Sequence, residues 1–549
     1  MAAVTTSVSH LPLAEVWTGA RLTQDFLRGA ASARPFYRYR PGVDDLAAAL
    51  AERRAQACQA ERSALVAALG RALERFGATA AQTANLALLA DPATVAVVTG
   101  QQPGLAGGPL YTFYKAATAC LEAERLRADG VPAVPVFWCA TEDDDFAEVR
   151  SLGLVGRDGA VAHVTLDAAH RPGQLIGEVR LAPAWEQVVA DLAARLPASE
   201  FGADLCARLR AVGAAHHTLG DQCAALLLGW LGGRGLLWLD PTAADMRALA
   251  APVLARVLDD PLAPTRLAND AGERLAAAGY RPATHRAPDR CGFYLLRDGV
   301  RRRLSWRGEQ FVSDAAESWS AADLRTELAA RPTSFGSSLL LRPVVQDYLL
   351  PTALFVVGPG EIAYLAQVGP VYDWLGVARP LLVPRRSLTV VPPRAARVLE
   401  NYGLALSDFR GDQTALVSRV ARAGAGAETS ARFATATERI ASELDALTAH
   451  AAGIDSSLRG AGAVAAGRVR AELDRLEQQT QRALRRRDEV LAQRLAGAAA
   501  WLAPGGGLQE RHLSLVAVEA QYGPGVTDAL WDVLRQLPRE AHGSVRMGW

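Results

Sequence analysis

The stretch at residues 94–140 constrains the fold most. "TVAVVTG" is a continuous apolar run, "AVPVFWCA" is a second one, and a helical pattern runs between them from Leu110 to about Asp129. Apolar runs too continuous to alternate faces are strands covered on both sides. Two of them joined by a helix make a βαβ unit, with parallel strands and a right-handed crossover. "GLLWLD" (235–240), "ALFVVG" (353–358) and "PLLVP" (380–384) extend the same pattern. The expected core is therefore an α/β, doubly wound parallel sheet. Residues 150–232 and 264–332 fall between these strands as insertions, the second with a hairpin turning at Asp298-Gly299 in "CGFYLLRDGVRRRLSW".

Helical spacing marks residues 44–90 (Leu46, Leu50, Leu65, Leu69, Leu73), and a different pattern begins near residue 430. Ile440, Leu444, Leu447, Ala451, Ile454 and Leu458 recur at four- and three-residue steps, and Val469, Leu473, Leu476, Thr480 and Ala483 resume after "GAGAVAAG". Two such helices joined near residues 460–467 make an antiparallel α-helical coiled coil. Its alanine-rich seam suits either homodimerisation or packing on its own chain. The expected division is 1–149 (N-terminal helices and first half of the core), 150–232 (insertion), 233–263 (core) and 264–332 (second insertion with hairpin). It continues with 333–395 (second half of the core), 396–503 (coiled coil) and 504–549 (a tail packed on the core).

A chain of 549 residues exceeds one compact core, and a net charge of +1 excludes a nucleic-acid surface spread over its length. No long apolar run lacks charges, so no membrane span is expected, and "MAAVTTSVSHLPLAEVW" has no signal-peptide pattern. Six scattered cysteines (Cys58, Cys120, Cys139, Cys206, Cys223, Cys291) without a CxxC pair fit reduced thiols in the cytoplasm. No zinc-ligand cluster is evident, and His216 and His217 diverge on a helix.

Ligands of open parallel sheets collect at the carboxyl ends of strands. The first such loop, "TGQQPGLAGGPLYTFYKA", offers Gly100, Gln101, Gln102, Gly104, Gly107, Gly108 and Tyr111, and it ends with Lys115, the single lysine of the chain. It matches neither a Walker loop nor a dinucleotide fingerprint, so a tight structural turn is the alternative. Lys115 leans back towards the loop, where a compact ammonium suits a confined anion better than a guanidinium fork does. At the next strand end, "ATEDDDF" places Glu142, Asp143 and Asp145 to bind an amine, hold Mg²⁺ or act as a base. A third cluster joins Arg342, Gln346 and Asp347 to "GPGE" (Gly358, Gly360, Glu361), and "PRRSL" supplies Arg385, Arg386 and Ser387 for anionic groups.

"TGQQPGLAGGPLYTFYKA", "PVFWCATEDDDFAEV", "LRPVVQDYLLPTALFVVGPGEIAYLAQ", "VPRRS" and the tail "LQERHLSL…YGP" resemble the BshC family, the cysteine ligases assigned to the last step of bacillithiol biosynthesis. The resemblance implies a Rossmann-like core with inserted connecting regions, a dimerising coiled coil, and addition of L-cysteine to glucosaminyl-malate through an amide bond. It is also distantly similar to class I aminoacyl-tRNA synthetases, in which loops placed like "GGPLYT" and "PRRSL" hold ATP. An amide requires carboxyl activation, so binding of ATP or ADP and an adenylate or acyl phosphate are expected. The family usually carries a histidine where Asp144 stands, and an Asn-His pair where Arg150-Ser151 stands. The competing expectation is a metabolite-binding scaffold without turnover, dimerised by its coiled coil.

Overall fold

The computed structural model describes residues 8–40, 45–56, 59–422 and 426–548. Cys58, residue 44 and the first seven residues of the N-terminal reading lie outside them. The chain forms two compact units, residues 1–390 with 509–549, and residues 391–508.

In the first unit, five parallel strands build the central sheet: β1 (Val95–Gln101), β2 (Ala133–Cys139), β3 (Leu237–Leu239), β4 (Thr352–Val357) and β5 (Leu381–Pro384). Their order is β5-β4-β1-β2-β3. This is the doubly wound arrangement, whose direction reverses between β1 and β4, where such sheets leave a ligand crevice. Val98 pairs with Val136 on one side and Phe355 on the other. All three are fully buried. Each such side chain contributes roughly 1.5–3 kcal/mol of burial. Helix α1 (Leu110–Ala128) links β1 to β2, α2 (Leu219–Leu231) precedes β3, and α3 (Pro359–Leu375) follows β4.

The first insertion holds a two-stranded ribbon (Ser151–Val155 with Val161–Thr165) and helices around a core that includes Leu181, Val189 and Leu192. The second carries a five-stranded antiparallel sheet. Its hairpin turns where expected: Asp298 (φ 50°) and Gly299 (φ 72°) both adopt left-handed backbone, the signature of a type I′ turn. That sheet runs on to Phe335–Ser337, beyond the boundary at 332. The chain's last strand, Ala541–Arg546, pairs with Val8–Pro12.

In the second unit, α4 (Gly426–Ile454) and α5 (Leu458–Leu502) form the helical hairpin. The turn differs from expectation. It falls at residues 455–457, where Asp455 Oδ1 accepts the Ser457 amide at 2.8 Å, and "GAGAVAAG" is helical. Gly462 alone of its three glycines serves close approach: a Cβ there would come within 2.5 Å of the Thr448 side chain, whereas Gly460 and Gly467 face open space. Part of the seam stays exposed, with Leu447 at 63%, Ile454 at 75% and Leu476 at 52%.

Candidate active site

A cleft of about 740 Å³ opens at the carboxyl ends of β1, β2 and β4. Lys115, on α1, is buried at its floor with Nζ 2.6 Å from Glu361 Oε2. The ammonium also donates to the Gly100 carbonyl and, at 3.3 Å, to Gln101 Oε1. Three acceptors match the three N–H donors of an ammonium, an arrangement a planar guanidinium does not reproduce. Burial lowers the Lys115 pKa, Glu361 opposes that shift, and Arg385 and Arg342 add to it. Glu361 Oε2 also accepts the Gly358 amide at 2.7 Å, capping the start of α3. The sequence leads one to expect Lys115 to meet an external anion; its close partner is a carboxylate of the chain itself.

The acidic run at the end of β2 divides into distinct roles. Glu142 is buried, with Arg247 Nη1 at 3.2 Å, and accepts from the Tyr294 hydroxyl at 3.2 Å and the Ser337 hydroxyl at 3.1 Å. Asp143 faces the cleft and accepts from Gln102 Nε2 at 2.9 Å, while Gln102 also donates to Glu148 at 3.0 Å. Asp144 lines the cleft as well, accepting from Arg301 at 2.9 Å and Arg303 at 2.8 Å. Asp145 instead caps the short helix Phe146–Val149 through the Glu148 amide and is not among the lining residues.

The glycine-rich loop turns away from the cleft after Gln102. A Cβ on Gly104 would lie 2.5 Å from Gly108 Cα, and one on Gly107 (φ +85°) would lie 2.5 Å from the Trp230 ring. These glycines, with Gly108 (φ +77°), permit close packing on α2 and on one another. The first free amide of α1, on Leu110, is taken by the Leu513 carbonyl at 2.8 Å. Close packing accounts for these glycines, which corrects the cofactor-loop expectation at Gly104, Gly107 and Gly108.

The "PRRSL" loop divides similarly. Arg385 reaches the cleft beneath Tyr111, its guanidinium 5.6 Å from that ring and its Nη2 2.7 Å from Glu510. Arg386 points the other way, donating to the Leu534 and Leu537 carbonyls and lying 3.4 Å from Glu122. Ser387 bonds Glu510 at 2.9 Å and His542 Nδ1 at 2.8 Å inside the protein. In the third cluster Arg342 lines the cleft and donates to the Tyr364 hydroxyl at 2.8 Å and to Gln346 at 3.2 Å. Gln346 and Asp347 lie behind it, fully buried and bonded to each other at 3.0 Å. Burial pushes the Asp347 carboxyl up to about 6, against hydrogen bonds from Tyr372 and Gln346. Gly358, Gly360 and Glu361 all line the cleft, and the position of a Cβ on Gly360 is open space.

Sequence reasoning missed the cleft's far wall, formed by the second insertion through Arg286, Arg290, Tyr294, Arg301 and Arg303. The alternation in "VRRRLSW" puts Arg301 and Arg303 on one strand face and was the available signal. It also missed Arg247, the partner of Glu142, and Arg511, which lies 5.7 Å from the Tyr111 ring. Among the described residues no group of three or more His, Cys, Asp or Glu side chains is placed to hold a metal ion, and no helix is long and apolar enough to cross a membrane.

Strand order and cleft position define a Rossmann-like α/β protein with a cleft at the switch point of the sheet. Residues 7–386 match the family model "Bacillithiol biosynthesis BshC, N-terminal Rossmann-like domain", and residues 388–542 match the "C-terminal coiled-coil domain" of the same family. The chain belongs to the BshC family. Similar proteins include those of Koribacter versatilis (33% identical, over 96% of this chain and 98% of the relative) and Salinibacter ruber (32%, over 84% and 85%). Another is that of a Thermus thermophilus strain (36%, over 80% and 86%). Each carries the name "Putative cysteine ligase BshC".

Proposed function

We propose that this chain is a ligase of bacillithiol biosynthesis, joining the carboxyl of L-cysteine to the amine of glucosaminyl-malate, with ATP activating the carboxyl. The observation that carries this reading is convergence. Three separated stretches (residues 100–115, 140–148 and 342–361) meet at one cleft together with the basic loop at 385. Opposite charges stand side by side in it, as a reaction between an amine and an activated acid requires.

Asp143 and Glu148, both held by Gln102, form the acidic side and suit an ammonium group of a substrate. Glu142 acts as a positioning group, fixing Arg247 and Tyr294 beneath the floor. The cationic side consists of Lys115, Arg342, Arg385 and Arg511 beside the start of α3. Those residues, with the unobstructed Gly360, fit the phosphates of a nucleotide, whereas the glycine loop does not. ATP would supply the leaving group that makes the carboxylate acylable. In this reading Arg385, held in place by Glu510, stabilises the negative charge that develops there, while Lys115, its three donors taken, fixes Glu361 at the start of α3. Mg²⁺ would enter with the nucleotide, held by its phosphates more than by a carboxylate cage.

The partly exposed seam of α4 and α5 supports a homodimer formed through the coiled coil. Incubation with cysteine, glucosaminyl-malate and ATP, read by mass spectrometry, tests the function. An amide product formed only with ATP is expected. Product without ATP removes the nucleotide from the reading, and no product under any condition favours the scaffold.

A further inference from the structure

The wall contributed by the second insertion holds more positive charge than its own carboxylates balance. Arg286, Arg290, Arg301 and Arg303 all line the cleft. Asp144 is bonded to Arg301 and Arg303, and Asp143 lies 3.8 Å from Arg301. These pairs engage the two strand arginines and leave Arg286 and Arg290 outside them. Arg286 and Arg290 have no side-chain hydrogen bond or ion pair among the described residues, and Arg301 Nε is buried without a partner. The Arg301 guanidinium is fixed over the Tyr294 ring at 4.2 Å, so it is aimed rather than free. Arg286 feels the cluster: burial and then Arg303, Arg290 and Arg301 lower its pKa. Arg286 and Arg303 are exposed and Arg290 and Arg301 half-buried, so their charge reaches the cleft through solvent and draws an anion to this wall.

We infer that Arg286, Arg290, Arg301 and Arg303 form a subsite for a dianionic group, with Asp144 setting the spacing of the two strand arginines. Two sources share that chemistry, a dicarboxylate such as a malyl group and a diphosphate of a nucleotide. The inference deepens the ligase reading, since its substrates carry both. It is measured by binding alone, with neither cysteine nor turnover involved.

The test is isothermal titration of the full chain with L-malate in one arm and pyrophosphate in the other. The wild type is compared with R286Q/R290Q and with R307Q, whose arginine pairs with Asp289 outside the cleft lining. At least one dianion is expected to bind the wild type and R307Q equally and the double variant about tenfold or more weakly. Malate alone behaving so assigns a dicarboxylate, and pyrophosphate alone assigns a diphosphate. Absence of binding by both up to about 10 mM, or equal affinity in the double variant, overturns the subsite. Should the double variant not fold, R286Q and R290Q singly take its place, and unchanged affinity in both overturns it equally. Dianion binding without ligation sinks the ligase reading alone, and ligation with binding indifferent to both arginines sinks the subsite alone.

Discussion

Lys115 Nζ and Glu361 Oε2 lie 2.6 Å apart, and the two residues belong to the helices that follow β1 and β4, the strands flanking the switch point of the sheet. One ion pair thus closes the floor of the cleft at the place where the two halves of the core diverge. Replacing Lys115 with arginine forces a broader group into a site already filled by three acceptors. K115R is expected to lose about 1–3 kcal/mol of stability and most ligase turnover, measured by urea unfolding and product formation. E361Q keeps an oxygen for the Gly358 amide but strands the ammonium, so a loss of about 3 kcal/mol is expected. Wild-type stability in both variants would show that the pair is incidental.

The Glu142–Arg247 pair makes a second prediction. Both side chains are 6% exposed, so E142Q leaves a buried guanidinium without its carboxylate. A loss of about 3 kcal/mol is expected, with R247M on the E142Q background recovering part of it. Additive losses in the four-way comparison would argue that the two residues act separately.

Asp347 sets a pH dependence. Its carboxyl is pushed up to about 6 by burial, above the unfolded value of about 3.9. The folded chain therefore prefers the protonated form, and this group's contribution falls as pH rises from about 4 to 6, by about 3 kcal/mol in total. D347N removes that titration. The stability of D347N relative to wild type should climb across this window and level off above it, followed by denaturant midpoints in a pH series. A flat difference would place the Asp347 carboxyl at its ordinary value.

The exposed seam yields a fourth prediction. L447E/L476E is expected to leave the first unit's melting unchanged and to convert a dimer to a monomer in analytical ultracentrifugation. G462L strikes within the hairpin, where its side chain meets Thr448, and should lower helicity of that unit. A dimer that survives L447E/L476E assembles through another surface.

The sequence made the central strands legible because burial on both faces writes an unbroken apolar run, as in Val95–Gln101 and Thr352–Val357. The hairpin at Asp298-Gly299 was legible for a local reason, since the turn requires two left-handed residues. Roles set by distant partners were not. Nothing in "LAGGPL" says that its glycines meet Trp230 and one another instead of a ligand. Adjacent Arg385 and Arg386 read alike, yet one enters the cleft and the other grips carbonyls on the far side. The turn at 455–457 was hidden because glycines in a helix cost only about 1 kcal/mol each, while Asp455 supplies a local stop.

Arg385 and its partner Glu510 are 125 positions apart in the chain, with the whole helical hairpin encoded between them. On the ribosome the arginine emerges first and has no carboxylate to receive it until the hairpin has been translated. Arg511 and the Leu513 carbonyl that closes the start of α1 arrive in the same late segment. A nascent chain thus holds an unfinished cleft until Glu510 and Arg511 have been made. A chain cut between Pro384 and Gln509 keeps every strand of the central parallel sheet yet lacks the Glu510 carboxylate that holds Arg385 and the Leu513 carbonyl that closes the start of α1.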